Sequence, residues 1–181
     1  MATNFNNDFR VAITELRRKD WSRFRDVKAF VRPDYIVSSA YVPDAIIGLL
    51  NSKDADEVEH FYWQLENHVV VQGHTFEAAE HLVPVLVAVL HEDLTQSVRS
   101  AVLELLFQIV AYGPSQYEVD LGNVDLTNRC RIAAREGLWR LYQMYLSGSD
   151  GGSEAVYIIL EKIETDQDRL EAFRRARSES N

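Results

Sequence analysis

The chain has little that would hold it together covalently or let it span a bilayer. Its single cysteine, Cys130, has no partner within the chain for a disulfide, so oxidation plays no part in holding the fold together. The longest nearly unbroken apolar run, Leu82–Leu90, is nine residues, against the roughly 20 that a membrane-spanning helix needs. Residues 1–20 are polar and mixed in charge, with no apolar segment ahead of a cleavage site, so no signal peptide is read there and a cytoplasmic location without membrane contact is expected. Four prolines and eight glycines in 181 residues suit long helices better than many short strands joined by turns. There is no Gly-x-Ser-x-Gly elbow, no phosphate-binding glycine loop and no His-Glu-x-x-His zinc pair, so neither catalysis nor a cofactor is expected.

Positive charge is also scarce where it matters. Residues 34–125 hold fifteen acids against only Lys53 and Arg99, a balance of −13 in a chain whose total is −9. Residues 1–33 are basic at +4, with Arg10, Arg17, Arg18, Lys19, Arg23, Arg25, Lys28 and Arg32, while residues 126–181 are neutral. A core cannot hold that many unpaired carboxylates, so the middle segment is expected to present a negative surface. Such a surface repels the phosphates of nucleic acid and attracts a basic protein.

What is present is a repeat. The stretch that begins at Val42-Pro43 aligns with the one that begins at Val83-Pro84 at an offset of 41 residues, with Leu49 falling on Leu90. A second match lies at an offset of 32: Asp93, Val98, Arg99, Ala101, Glu104 and Leu106 fall on Asp125, Cys130, Arg131, Ala133, Glu136 and Leu138. A weaker copy follows over 155–176. Hydrophobic periodicity predicts helices near 7–19, 22–31, 43–51, 54–72, 75–91, 95–112, 126–147, 153–164 and 167–178. Helix 54–72 carries Val58, Phe61, Tyr62, Leu65 and Val69 on one face, and Gly73 is expected to end it as a left-handed cap. Helix 75–91 is apolar nearly all round, the mark of a buried central helix; Pro84 should kink it or restart it. The expected organisation is a single domain over 1–181: N-terminal helices in 1–41, two repeats in 42–112, a long loop over 113–125 and further repeats in 126–178.

These units, Val-Pro opening one helix and Asp-x4-Val-Arg-x-Ala the next, resemble HEAT-like (armadillo-type) repeats over residues 42–145, with weaker cover to 178. The resemblance implies an all-α, right-handed superhelix of helix pairs with about nine helices. Its second helices, here 54–72, 95–112 and 126–147, would line a concave face. Within YWQLENHVVVQGHTFEAAEHLVPVLVAVL, the residues Trp63, Asn67, Gly73, Ala78, Ala79, Val83, Pro84 and Leu86 are similar to short bacterial HEAT-like proteins. Some of those resemble immunity proteins of polymorphic toxin systems, which mask a toxin domain and catalyse nothing. Glu66 and the Val69–Val71 run depart from that pattern.

Several residue groups admit two readings. His60, His68, His74, His81 and His91 fall within 32 residues and are either surface histidines or metal ligands. A di-iron bundle needs two Glu-x-x-His units, and only Glu57–His60 is present, so no metal is expected. Cys130 is a nucleophile only if a histidine reaches it; its match to Val98 points to a small core residue. Trp63 and Trp139 serve either as interface anchors or as packing between repeats. The partner-facing set is Glu59, Trp63, Glu66, Asn67, Ser100, Glu104 and Gln108 on the helices, with Tyr117, Glu118, Asp120 and Asp125 in the 113–125 loop. The expected function is inhibitor-like capture of a basic protein on an acidic concave surface. A general interaction scaffold is the alternative. A HEAT-like DNA glycosylase remains a third reading through Arg131, Arg135 and Arg140.

Overall fold

The structure, a computed structural model, describes residues 9–25, 39–147 and 153–179. Helix starts follow local chemistry. Asp54 accepts from the Glu57 N–H at 2.9 Å to begin α3 (Ala55–Val69), and Thr95 accepts from the Val98 N–H to begin α5 (Gln96–Ala111). Ser115 and Asp166 do the same for α6 (Gln116–Asp120) and α10 (Gln167–Ser178). Each such cap contributes about 1 kcal/mol by satisfying an amide that the helix leaves open. The remaining helices are α1 (Arg10–Arg17), α2 (Val42–Leu50), α4 (Glu77–Val89), α7 (Leu126–Ala134), α8 (Leu138–Ser147) and α9 (Ser153–Ile163).

The chain is mostly helical, and its core is the face shared by α4 and α5. Ala78, Ala79, Leu82, Val83, Val85, Leu86, Val87 and Val89 of α4 are buried, as are Val98, Val102, Leu105, Leu106 and Ile109 of α5. Burying one such aliphatic side chain stabilises by roughly 1.5–3 kcal/mol, so these two helices outweigh any surface ion pair. Helix α4 packs against α1, α5 and α7, and α5 against α3, α4, α7 and α9. Pro84 does not break α4, which runs through it unbroken.

Four expectations change. Helix 54–72 ends at Val69, because Val70–Val71 form strand β1, which pairs antiparallel with β2 (His74–Thr75). Gln72 and Gly73, at φ 50° and 76°, make the two-residue turn between them, as hairpins of this length require. Second, the 113–125 loop is structured: Gly113–Pro114 form β3, parallel to β2, and α6 follows. The resulting three-stranded sheet joins the C-terminal ends of α3 and α5 through main-chain hydrogen bonds.

Third, helix 126–147 is two helices joined by a 3-10 turn at Arg135–Gly137. There Gly137 meets Val87 of α4 so closely that a Cβ would stand 2.9 Å from Val87 Cγ1. Its expected place beside α5 is shared, since α9 also packs on α5. Fourth, helix 22–31 begins in a 3-10 turn at Trp21–Arg23 followed by extended Phe24, and residues 26–31 lie outside the described residues.

Three arginines stitch the helices end to side. Arg131 Nε donates to the Val110 carbonyl at 2.8 Å, Arg140 Nε to the Leu90 carbonyl at 2.7 Å, and Arg135 Nε to the Ile163 carbonyl at 2.5 Å. These carbonyls close the last turns of α5, α4 and α9, where a cation is favoured by the helix dipole.

Candidate functional site

On α3 the apolar spacing turns Val58, Leu65 and Val69 inward, leaving Tyr62 half-buried at the edge and Glu59 and Trp63 outside. On α5 the narrow polar stripe of Ser97, Ser100 and Glu104 faces the same way. Between them lies a groove of about 490 Å³. Val58, Tyr62 and Ala101 form its apolar floor, with Glu59 and Trp63 on one rim and Ser97, Ser100 and Glu104 on the other. Trp63 is 45% exposed, unusual for so large an apolar side chain beside a floor that would have covered it.

The rims are held in place by hydrogen bonds. Trp63 Nε1 donates to Glu59 Oε1 at 3.1 Å. Gln108 Nε2 donates to the Tyr62 hydroxyl at 2.9 Å and to Glu104 Oε1 at 3.0 Å. The Tyr62 ring meets Trp63 edge-on at 5.2 Å. Burial, and then the charge of Glu104, raises the Glu66 carboxyl above the usual carboxylate range. Burial followed by Glu104 and Glu66 pushes the Tyr62 phenol up to about 12. Among the described residues, no lysine or arginine forms an ion pair with Glu59, Glu66 or Glu104.

Of the residues singled out from sequence, the structure brings Glu59, Trp63, Ser100 and Glu104 together, with Gln108 and Glu66 adjoining. Asn67 is exposed on α3 but does not line the groove. Tyr62 and Ser97 belong to the groove and were absent from that set. The apolar spacing of α3 puts Tyr62 on the face of Val58, Leu65 and Val69, and its place at the edge of that stripe lets it line the groove as well. Glu118 was expected on the surface and is fully buried. It accepts from Arg25 Nη2 at 3.2 Å, from the Glu77 N–H at 3.1 Å and from Asn123 Nδ2 at 2.6 Å, because α6 folds the loop back onto the start of α4. Asp120 and Asp125 are exposed at the far end of that segment, Asp120 accepting from Gln116 at 2.8 Å. Half-buried Tyr117 lies there too.

The acidic excess is therefore only partly free. Arg25 pairs with Glu77 and Glu118, and Arg129 with Glu80 at 2.8 Å, so arginines from outside residues 34–125 neutralise carboxylates within them. The histidines are dispersed: His81 stacks on Phe24 at 3.6 Å, His68 bonds the Gln64 carbonyl, and His74 and His91 are exposed. Among the described residues no group of three or more His, Cys, Asp or Glu converges as metal ligands would. Cys130 is fully buried, and burial pushes its thiol up to about 12, far from the thiolate that a nucleophile needs. Trp139 is 64% exposed, with the Arg169 guanidinium 5.3 Å above its ring. No helix among the described residues is long and apolar enough to cross a membrane. Compared with family models, curated proteins and solved structures, the chain matches none of them.

Proposed function

We propose that the chain is a non-catalytic, cytoplasmic protein-binding module of HEAT-like superhelical build whose groove between α3 and α5 docks a basic protein. The observation that carries this is the set Glu59, Glu66 and Glu104, without a cationic partner among the described residues, beside exposed Trp63. Like charges held together without compensation cost stability, and a cationic guest relieves that cost. Net charge of −9 steers such a guest in quickly, and Trp63 supplies the contact that slows its departure. The mode fits an immunity-like inhibitor that covers a toxin domain. It fits a general interaction scaffold equally in chemistry, and the identity of the bound protein separates the two. A DNA-holding role draws no support from Arg131, Arg135 and Arg140, whose guanidinium groups serve helix ends.

The test is co-purification with the full chain and with a Glu59→Gln/Glu66→Gln/Glu104→Gln variant, at low and high salt. One basic protein should be retained stoichiometrically by the parent, released as salt rises, and lost by the variant. Retention indifferent to both salt and the substitutions sinks the proposal. Binding should also strengthen as pH rises through the raised range of Glu66, because a cation lowers that carboxyl and binding expels its proton.

A further inference from the structure

The C-terminal end of the molecule contains a worked example of the chemistry that the groove offers. There Arg169 donates through Nε and Nη2 to both oxygens of Glu164, at 2.7 and 2.8 Å, while its guanidinium stands 5.3 Å from the centroid of the Trp139 ring. Tryptophan, carboxylate and arginine thus form one unit, with the cation attracted by the ring and forked onto the acid. At the groove the tryptophan and the carboxylates recur, and no described side chain supplies the guanidinium.

We infer that the groove between α3 and α5 is an arginine pocket, in which an arginine of the basic partner lies against Trp63 and donates its N–H fork to Glu59 and Glu104. This deepens the docking proposal above and rests on it. The two rim carboxylates are already oriented. Glu59 uses Oε1 to accept from Trp63, and Glu104 uses Oε1 to accept from Gln108. Among the described residues nothing donates to either Oε2. The floor of Val58 and Ala101 suits the methylene stem of a long cationic side chain. Arginine fits better than lysine for three reasons. Its planar donors reach two acceptors at once, its weak hydration lowers the cost of entering a half-apolar groove, and it stacks on an indole.

The test uses hexa-arginine and hexa-lysine peptides, titrated against the full chain by calorimetry and tryptophan fluorescence. Hexa-arginine should bind about tenfold more tightly than hexa-lysine. Trp63→Ala and Glu59→Gln/Glu104→Gln should each weaken hexa-arginine about tenfold, and Trp63→Phe should recover part of the loss. A charge-matched control, Asp93→Asn/Glu161→Gln at exposed positions outside the groove, should stay within about twofold of the parent. Equal affinity for the two peptides overturns the pocket, as does an equal loss in the control. If the basic partner is still captured in a groove-dependent manner while the arginine preference is absent, the pocket fails and the docking proposal stands. If peptides show the preference and no basic protein is retained, it is the docking proposal that fails.

Discussion

Two glutamates of the acidic segment meet opposite fates. Glu104 stands on an exposed rim with one neutral donor, while Glu118 is sealed inside with an arginine, an amide and an asparagine around it. Removing a buried acceptor strands its donors, so Glu118→Leu should cost roughly 2–3 kcal/mol in urea melts, whereas Glu104→Gln should be close to neutral. The sequence carries no sign of this difference, because Arg25 lies 93 residues from Glu118 and only the fold makes them neighbours. Glu164 gives a pH test. Arg169 foremost, opposed by burial and helped by the Asp166 and Thr165 amides, holds its carboxyl down to about 2. A depressed carboxyl stabilises above its unfolded value near 4.3 and loses that contribution as pH falls toward 2. The parent should exceed Glu164→Gln by about 2 kcal/mol at neutral pH, a figure discounted for screening at half-exposed Arg169. The gap should close in acid melts; a constant gap would refute the linkage.

At the level of elements, the helices were legible wherever a capping residue met a strong apolar period. α3, α5 and α10 begin within a residue or two of the starts expected at 54, 95 and 167, and the structure shows Asp54, Thr95 and Asp166 capping them. What escaped was tertiary in origin. Val70 and Val71 continue the apolar pattern of α3, yet a partner strand at His74–Thr75 captures them as β structure, and their β-branched side chains suit it. The break at Arg135–Gly137 likewise coincides with a tertiary contact, the close approach of Val87 to Gly137 that leaves no room for a side chain. Gly73 carries its own prediction. At φ 76°, with the Tyr112 ring 3.4 Å from where a Cβ would stand, Gly73→Ala should cost about 1 kcal/mol. Amide exchange should quicken at Thr75 and Ser115 first. Loss of stability without that local signature would place the strain elsewhere.

For the molecule as a whole, counting charge by blocks overstates how much of the acidic segment is unpaired. Block counting anticipated a negative surface over residues 34–125, but Arg25 and Arg129 cross the block boundaries and pair there with Glu77, Glu118 and Glu80. With a net charge of −9 and its three central arginines turned to carbonyls, the chain should show no duplex DNA shift in a gel assay at low salt. A tight complex there would reverse the ranking of partners.

The three-stranded sheet has a bearing on all of this. α3 and α5 both run into it at their C-terminal ends, so backbone bonds through His74 and Thr75 clasp the two helices there as a spine clasps the covers of a book. Among the described residues, no backbone hydrogen bond joins their opposite ends, at Asp54 and Thr95. The groove residues Val58, Glu59, Ser97 and Ser100 lie toward that unclasped margin, so on the docking proposal a guest would enter where the two helices begin.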